Sequence, residues 1–534
     1  MIGLALLLVA SAAAFGIARL LRLPAVPFLL VAGLVMRVFG ALPERELLED
    51  AVQLGLAVLV FAAGIELNPR RVGSQARAAV RVGFLQFVLL ATAGFGAVTL
   101  LGADFQQAIY LSLALAASST LLVVRLLQQR KQMFEPFGRL VLGVLLIQDM
   151  LVILLLPILV GVPEGIGEVV RGLGTIAVLV AAAFASIRWL APFLILRLDL
   201  DEEGLLLVTL ALLFLFMGAA SWLGLPLIAG AFLGGVALSS FPINGIVRGQ
   251  LQSLTDFFLA IFLTALGGLI GVPTWSDLGI ALILTLLVVV LTPPLVTVIA
   301  EAAGLSARAS IDAGLLLAQT SEFSLVVALQ GWATGHLPES GLTIVVIVTM
   351  ATMFLTPFIA TDRMTWRLMA YHPLRHRGEF GEPPSGHVLL LGCGDNGMPL
   401  LETLLGAGHS VVVVDDDPSV IEALQEGDVP CIRGDGSDFD VLQRAGAQNA
   451  AVVISTMRRP RDSLHVLRRI RNVPVLVRVF DDDDAKRIAR HGGIPISYAD
   501  AATEDFFSWL DQAAAIGLTA ERRTRPRKGS SARP

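Results

Sequence analysis

Residues 140–160 read LVLGVLLIQDMLVILLLPILV, an apolar run in which Gln148 and Asp149 are the polar residues. The run is long enough to cross the hydrocarbon core of a bilayer as a helix. A carboxylate at that depth costs roughly 3 kcal/mol or more to insert, and ionisable residues within membranes are functional by default. Asp149 is therefore the first candidate for a cation or proton site. A structural hydrogen bond between helices is the alternative interpretation.

The composition predicts a membrane domain joined to a soluble one. Of the 534 residues, 55% are hydrophobic and 16% are charged, as expected when much of a chain lies in lipid. Up to about residue 368, apolar runs of roughly 20 residues alternate with short polar connections. Beyond that point charge density rises and the apolar runs shorten to strand length. The predicted division is a membrane domain at 1–368, a linker at 369–386, a Rossmann-like nucleotide-binding domain at 387–515 and a disordered basic tail at 516–534.

Net charge and cysteine content narrow the choice of partner and compartment. The net charge of −5 favours neither a nucleic acid nor an acidic substrate as partner. Cys393 and Cys431 are the two cysteines, and both lie in the soluble part. They imply no disulfide framework, which suits a reducing compartment.

The apolar runs predict about thirteen helical spans. They begin near Ile2, Val26, Ala51, Ala79, Ala108, Leu140, Leu173, Leu205, Leu225, Phe257, Leu278, Ile311 and Leu342. Lys and Arg are retained on the cytoplasmic side of a membrane. The basic residues concentrate in alternate connections, which hold Arg19, Arg22, Arg70, Arg71, Arg77, Arg130, Lys131, Arg197, Arg248 and Arg308. This pattern predicts an amino terminus outside the cell and a carboxyl-terminal domain in the cytoplasm.

Two distant spans carry a polar triplet at matching depth. The fifth, LSLALAASSTLLVV, contains Ser118–Thr120, and the twelfth, LLLAQTSEFSLVV, contains Thr320–Glu322. Such pairs are typical of inverted-repeat transporters, whose paired helices unwind near the bilayer midplane and meet an ion with their ends. The alternative is that these small residues allow close helix packing.

The Gln148–Asp149 pair has the chemistry of an exchange site. Burial disfavours the charged form of a carboxylate, so such a group readily takes up a proton. It is also a hard oxygen ligand for an alkali cation, bound transiently and helped by the amide oxygen of Gln148. A group that binds either ion, but not both, couples their movements in opposite directions. Glu322 has two interpretations with equal support: it lines the same pathway, or it lies at a helix end near water.

A second motif, at the start of the soluble part, predicts a nucleotide site. The strand candidate at 387–391 runs into GCGDNG at 392–397, and a second strand ends in Asp415, about 20 residues further on. Glycines at this spacing bring backbone close to a pyrophosphate, and the acid binds a ribose. Asp435 follows the third strand candidate and is a second predicted nucleotide contact. No further catalytic lobe is visible in the sequence, so a nucleotide that regulates is favoured over one that reacts.

Over nearly its whole length the chain resembles the Kef-type potassium/proton antiporters of the cation/proton antiporter-2 superfamily. The matching segments are VFAAGIEL, SSTLLVVRLL, LLIQDM and LLAQTSEFSLVV, and the soluble part resembles the nucleotide-binding lobe of regulator-of-potassium-conductance domains. The Gln-Asp pair is the most specific feature, since related sodium/proton exchangers usually carry Asn-Asp. Two departures are the Thr320–Ser321 pair, where many relatives carry Gly-Gly, and the lack of a visible second ligand-binding lobe.

The resemblance implies a fold, a function and a set of site residues. The fold is a polytopic α-helical membrane protein with an inverted repeat and crossed broken helices, plus a cytosolic α/β Rossmann-like domain. The function is exchange of a monovalent cation, K⁺, for H⁺ across a bacterial inner membrane by a homodimer, with NAD(H) or AMP as a regulatory nucleotide. The implied ion-binding and crossing residues are Gln148, Asp149, Ser119, Thr120, Ser321 and Glu322. The implied nucleotide-binding residues are Gly392, Gly394, Gly397, Asp415 and Asp435.

Three other functions compete with this interpretation. A nucleotide-gated potassium channel would need a TVGYG-like filter, which the sequence lacks, and far fewer spans. A sodium/proton exchanger remains open, because the sequence does not fix selectivity between K⁺ and Na⁺. A membrane-bound dehydrogenase would need an acid or base facing a substrate, and the sequence offers no such constellation. An ancillary regulator and the activating signal stay open as well.

Overall fold

A computed structural model describes residues 2–66, 76–130, 132–133, 136–161, 166–186, 188, 202–239, 244–305, 307–369, 385–394, 397–457 and 459–497. The chain divides into two units, Met1–His372 and Pro373–Pro534. The predicted linker at 369–386, apart from its ends, and the predicted tail at 516–534 lie outside the described residues.

The first unit is helical. Its helices are α1 (Ile2–Leu21), α2 (Ala25–Val38), α3 (Arg45–Glu66), α4 (Ala76–Leu100), α5 (Phe105–Ala116), α6 (Thr120–Gln129), α7 (Pro136–Gly161), α8 (Ile166–Ala185), α9 (Glu202–Trp222), α10 (Leu227–Ser239), α11 (Asn244–Leu269), α12 (Trp275–Ala302), α13 (Ala307–Leu316), α14 (Glu322–Ala333), α15 (Glu339–Ile359) and α16 (Asp362–Met369).

The helices account for the predicted spans. Within the described ranges, eight helical stretches are long and apolar enough to cross a membrane, with α5 and α6 taken together, and four shorter apolar helices accompany them. The pair α13 and α14 corresponds to the twelfth predicted span. Each predicted start lies within a helix except Leu225, which lies just before α10. The span predicted to begin near Phe257 begins earlier in the chain. Helix α11 starts at Asn244, and its first turns are polar, so an apolar pattern does not include them.

Close approach of α3 and α10 shows how the helices of this unit pack. A Cβ atom on Gly64 would lie 2.3 Å from the carbonyl oxygen of Phe232, and one on Gly235 would lie 2.1 Å from that of Phe61. Lipid tails give little hydrophobic drive between helices, so small residues that admit tight van der Waals contact stabilise such pairs. The two helices can therefore pack backbone to backbone.

The second unit contains a parallel sheet with helices between its strands. The elements are β1 (Val388–Leu391), α17 (Met398–Gly406), β2 (Val411–Asp415), α18 (Pro418–Glu426), β3 (Cys431–Arg433), α19 (Phe439–Arg444), β4 (Val452–Ser455), α20 (Pro460–Arg469), β5 (Val475–Val479), α21 (Asp482–Arg490) and β6 (Ile494–Ser497). The strand order is β3-β2-β1-β4-β5-β6. Connections leave β1 and β4 in opposite directions, so a crevice opens beyond their carboxyl ends, where open α/β sheets bind ligands.

Candidate functional site

The fifth and twelfth predicted spans are both interrupted, and the two interruptions touch. Helix α5 ends at Ala116 and α6 begins at Thr120, while α13 ends at Leu316 and α14 begins at Glu322. The hydroxyl of Ser118 donates to the carbonyl oxygen of Leu317 at 2.9 Å. The hydroxyl of Ser119 donates to Oε2 of Glu322 at 2.8 Å. The predicted crossing of two broken helices is therefore present.

At each interruption, nearby hydroxyl groups bind backbone amides that the broken helix leaves without helical partners. Ser119 caps α6 by accepting a hydrogen bond from the Leu122 amide at 3.3 Å, and Ser321 caps α14 by accepting one from the Phe323 amide at 3.1 Å. The Thr320 amide donates to Oγ1 of Thr352 on α15 at 3.2 Å. Irregular backbone within a membrane is tolerated where protein groups or a lined cavity satisfy it. Ser and Thr occupy the interruptions for this reason.

Helix α7 brings the predicted acid to the same crossing. The Ser118 amide donates to Oε1 of Gln148 at 3.0 Å, and the Thr120 hydroxyl donates to Oδ2 of Asp149 at 2.7 Å. Gln148 is fully buried and Asp149 is 7% exposed. Hydrogen bonds thus join Gln148 and Asp149 to the first interruption, and Ser119 joins that interruption to Glu322.

The helix ends at the crossing set its electrostatics. The amino ends of α6 and α14 carry partial positive charge and the carboxyl ends of α5 and α13 carry partial negative charge. Thr120, which contacts Asp149, and Glu322 are the first residues of α6 and α14. Glu322 is 2% exposed, which favours the interpretation that it lines the pathway over a position near water. Both carboxylates lie where helix dipoles favour negative charge.

Three amide side chains near the crossing have buried atoms without a hydrogen-bond partner among the described residues. These atoms are Oε1 of Gln86, Nε2 of Gln148 and Oε1 of Gln319. Nε2 of Gln86 lies 3.4 Å from the Ser118 hydroxyl, and Nε2 of Gln319 lies 3.4 Å from the Leu316 carbonyl oxygen. Unsatisfied polar groups in a buried polar site are natural partners for ordered water or for an ion.

Sequence reasoning missed part of this site. Gln86 on α4 was not proposed, although a fully buried glutamine in an apolar span is the same signal that identified Gln148. The hydroxyls of Thr349 and Thr352 were also missed; both lie within 3.2 Å of the Thr320 hydroxyl. Threonines are common in membrane helices, and nothing local to α15 marks these two.

The glycine loop that is predicted to bind a nucleotide lies at the crevice of the second unit. Gly392 follows β1 with a φ of +88°, which favours glycine, and a Cβ atom on Gly397 would lie 2.4 Å from the Gly392 carbonyl oxygen. Gly394 lies between them in the same loop, and α17 begins directly after Gly397. The loop thus holds backbone amides near a helix amino end, a suitable cradle for phosphate. Residues 395 and 396 of the motif lie outside the described part of the chain.

Two predicted acids lie at or just after the ends of neighbouring strands, and Asp415 contacts this loop. Asp415 ends β2 and accepts hydrogen bonds from the Cys393 amide at 2.5 Å and the Asp417 amide at 2.9 Å. Asp435 follows β3 and accepts from the amide and hydroxyl of Ser437 at 2.9 and 2.6 Å. The intervening Gly436 packs close to Leu391 at the end of β1. The geometry fits a nucleotide that lies across the ends of β1 and β2.

Ionisation at this edge is perturbed by desolvation and, to a lesser extent, by neighbouring acids. Desolvation, with repulsion from Asp435 and Asp415, raises the pKa of Asp416 to about 6, even though its side chain keeps an exposed surface. Burial and then the charge of Asp415 raise the pKa of Cys393 to about 11. A reactive cysteine needs the opposite shift, so Cys393 packs as a small side chain between glycines.

Comparison with protein families matches both units. Residues 4–361 match the family model described as sodium/hydrogen exchanger, transmembrane, and residues 388–503 match the TrkA-N domain. The chain belongs to the sodium/hydrogen exchanger family. Its second unit is a TrkA-N domain, which agrees with the predicted nucleotide-binding fold.

Individual relatives extend this assignment. The glutathione-regulated potassium-efflux system protein KefC of Shigella flexneri serotype 5b is 27% identical over 481 residues, covering 87% of this chain and 77% of that protein. K(+) efflux antiporter 4 of Arabidopsis thaliana is 29% identical, covering 62% of this chain and 58% of that protein. These relatives are transporters, and they confirm the resemblance to Kef-type antiporters and the prediction that the chain is not an enzyme.

A solved structure supports the fold of the first unit. The sodium proton antiporter MjNhaP1 from Methanocaldococcus jannaschii is similar with a TM-score of 0.52 and 15% identity, covering 68% of this chain and 97% of that one. At this identity the similarity shows the fold alone. The predicted fold class, a polytopic helical exchanger with a Rossmann-like domain, is confirmed.

Proposed function

We propose that this protein exchanges K⁺ for H⁺ at Asp149, under the control of a nucleotide bound to its TrkA-N domain. The observation that carries the proposal is the 2.7 Å hydrogen bond from Thr120 to Asp149 at the meeting point of two broken helices. A hydroxyl can rotate away from the carboxylate and offer its lone pairs to a cation. A proton and K⁺ can then compete for the same acid.

Each predicted site residue has a part in this exchange. Asp149 supplies the charge, while the amide oxygen of Gln148 and the Thr120 hydroxyl supply further oxygens. Ser119 and Ser321 cap the amino ends of α6 and α14 beside the ion. Glu322 accepts from Ser119 and links the two halves of the crossing. The unsatisfied amide oxygens of Gln86 and Gln319 offer partners to an ion that keeps part of its hydration.

Release of the ion follows from a shift of the crossing. A large cation sheds water gradually, so neutral oxygens near the acid lower the barrier to dehydration and make occupancy reversible. The carboxylate that the cation leaves would be a buried charge, which is costly, so a proton replaces the cation before the site turns to the other side. This order couples the two fluxes in opposite directions.

The nucleotide and the membrane arrangement complete the proposal. NAD(H) or AMP would bind Gly392, Gly394 and Gly397 through its phosphates and Asp415 through its ribose, with Asp435 as a further contact. The nucleotide regulates and undergoes no reaction. The amino terminus lies outside a bacterial inner membrane, the TrkA-N domain lies in the cytoplasm, and the protein works as a homodimer.

Ion flux in sealed vesicles tests this function. Purified protein is reconstituted with a pH dye inside, and K⁺, Na⁺ or Rb⁺ is added outside while a second dye reports membrane potential. We expect K⁺ to alkalinise the lumen more than Na⁺ does, with little change in potential. A potential change without coupled proton movement would indicate a channel, and a preference for Na⁺ would indicate a sodium exchanger.

A further inference from the structure

A buried ion pair joins the two broken helices at a distance from the exchange site. Arg130 caps the carboxyl end of α6, and its Nη1 lies 3.3 Å from Oδ1 of Asp312 on α13. The side chains are 16% and 3% exposed. Helix α6 is one half of the broken helix α5–α6, and α13 is one half of the broken helix α13–α14. The ion pair therefore connects the two broken helices.

The same pair also holds the helix that ends the first unit. The Thr365 hydroxyl on α16 donates to Oδ1 of Asp312 at 3.1 Å. Nη2 of Arg130 donates to the carbonyl oxygen of Ala360, the residue that follows α15. We call Arg130, Asp312, Thr365 and the Ala360 carbonyl the Arg130 joint.

Apolar contacts reinforce the joint. The methionines of α16 pack against a buried apolar cluster to which α6 and α13 both contribute. The members from these elements include Val123, Leu127, Ile311, Leu315, Ala360, Met364 and Met369. A movement of α16 must therefore displace α6 and α13 or break the hydrogen bonds that Thr365 donates to Asp312 and that Arg130 donates to the Ala360 carbonyl oxygen.

The chemistry of the joint makes its response discrete. Separating a buried ion pair leaves uncompensated charges, so displacements that move α6 away from α13 are strongly disfavoured. Packed interfaces of this kind switch between arrangements and do not deform continuously. Along the chain, α16 is the last described helix before the TrkA-N domain, so it is well placed to transmit a change in that domain.

We propose that Arg130 and Asp312 are positioning residues through which α16 sets the arrangement of both crossed helices, and with it the rate of exchange. The nucleotide state of the TrkA-N domain reaches Asp149 through this joint. This inference rests on the proposed nucleotide regulation. Its residues lie outside the proposed ion-binding set, and the hydrogen bonds of the joint connect Arg130, Asp312, Thr365 and the Ala360 carbonyl with one another.

The main test measures the nucleotide response of exchange. Asp312→Asn keeps the size of the side chain and removes its charge, and Thr365→Val removes the hydrogen bond from α16. The control is Glu339→Gln, which breaks the 3.5 Å ion pair with Arg37 at the opposite end of α15. Flux into vesicles is measured with no nucleotide, NAD⁺, NADH or AMP at a series of K⁺ concentrations.

The expected result is loss of regulation with retained transport. We expect nucleotide to change wild-type flux by about fivefold or more, a typical allosteric coupling, and to change Asp312→Asn flux by less than about twofold. The apparent KM for K⁺ should stay close to wild type in both variants. The nucleotide response of Thr365→Val should lie between those of wild type and Asp312→Asn. Glu339→Gln should respond as wild type does. A full nucleotide response in both Asp312→Asn and Thr365→Val would contradict the proposed role of the joint.

Hydrogen exchange separates failure of the joint from failure of the proposed regulation. A wild-type protein whose flux ignores every nucleotide would contradict the regulatory proposal. The proposed role of the joint still predicts that Asp312→Asn accelerates amide hydrogen exchange in all three segments: α16, the carboxyl end of α6, and α13. Glu339→Gln should not accelerate it. Unchanged protection of α6 and α13 in Asp312→Asn would refute the joint whatever the nucleotide does. Thr365→Val, which leaves the ion pair in place, supplies the same comparison should Asp312→Asn fold poorly.

Discussion

Asp149, beside the amino end of α6, and Asp415, at the end of β2, are both buried carboxylates, but different groups bind them. Asp149 accepts from the side-chain hydroxyl of Thr120, whereas Asp415 accepts from the backbone amides of Cys393 and Asp417. A hydroxyl can act as donor or acceptor, but a backbone amide only donates. The first arrangement suits an acid that exchanges ligands, and the second suits an acid held in one place to recognise a ligand.

The surroundings of the two acids follow the same division. Around Asp149 the chain leaves amide atoms of Gln86, Gln148 and Gln319 without partners within the described residues. Around Asp415, that acid accepts from the amides of Cys393 and Asp417, and Asp435 accepts from the amide and hydroxyl of Ser437. Unsatisfied buried groups cost free energy, so they persist where an ion or water uses them.

The largest expected effect comes from neutralising the exchanging acid. Asp149→Asn can neither titrate nor give negative charge to a cation, so K⁺-driven proton flux should fall to the leak of protein-free vesicles. Asp277→Asn on α12 is the matched control, because that acid caps its own helix through Thr274. Persistent coupled flux in Asp149→Asn would place the exchange elsewhere.

Removing the fixed acid should affect the ligand and spare the transport site. Hydrogen bonds to a charged group contribute about 1.5–3 kcal/mol, so Asp415→Ala should weaken nucleotide binding by about tenfold to a hundredfold. Titration calorimetry of the full-length protein checks this. The exposed Glu422→Gln on α18 should bind as wild type does, and an unchanged affinity in Asp415→Ala would remove Asp415 from the site.

A smaller effect should follow when a hydroxyl that supports the second interruption is removed. Thr352→Val leaves the Thr320 amide without its acceptor, which should lower the free energy of unfolding by about 1–3 kcal/mol. Thermal unfolding in detergent measures this loss, and flux should fall with it. Thr343→Val on the same helix is the control, since its hydroxyl bonds to the carbonyl oxygen of Glu339 one turn away. Equal stability of the two variants would show that α14 needs no such support.

The smallest expected effect is a pH dependence confined to the nucleotide site. Because the pKa of Asp416 is raised to about 6, this group becomes charged as the pH rises through that value. The added negative charge should weaken NAD⁺ binding by about two- to fivefold between pH 5 and 7, a range expected for a partly exposed charge. Asp416→Asn should abolish the dependence, and a pH profile identical in both proteins would contradict the assignment.

The same shift predicts a change in stability. The folded domain holds this proton to a higher pH than the unfolded chain, whose ordinary aspartate pKa is 3.8. The stabilisation is complete below that value and is lost as the pH rises through about 6. Denaturant unfolding of wild type and Asp416→Asn at both ends of this range measures it.

The sequence predicted features that are local and missed those that depend on packing. Gln148, Asp149 and the two polar triplets were visible because a polar group in an apolar run is costly and therefore rare. The glycine loop and Asp415 were visible because their spacing along the chain is itself the constraint. In both cases the chemical signal lies within one short segment.

Contacts between distant segments could not be predicted in this way. Thr352 supports Thr320, and Arg130 binds Asp312, only because helices far apart in sequence pack together. Strand β6 was missed because it is a short edge strand with Ile494 and Ile496 partly exposed, which gives little of the apolar pattern of the central strands. Helix α11 was predicted too short because its first turns are polar.

Proton release on cation binding is the most direct test of competition at Asp149. K⁺ is added to purified protein in weakly buffered detergent solution while the pH and the bound cation are followed together. The proposed exchange predicts that K⁺ binding releases protons, that K⁺ affinity rises with pH, and that Asp149→Asn does neither. Tight K⁺ binding to the wild-type protein without proton release, at an affinity independent of pH, would contradict it.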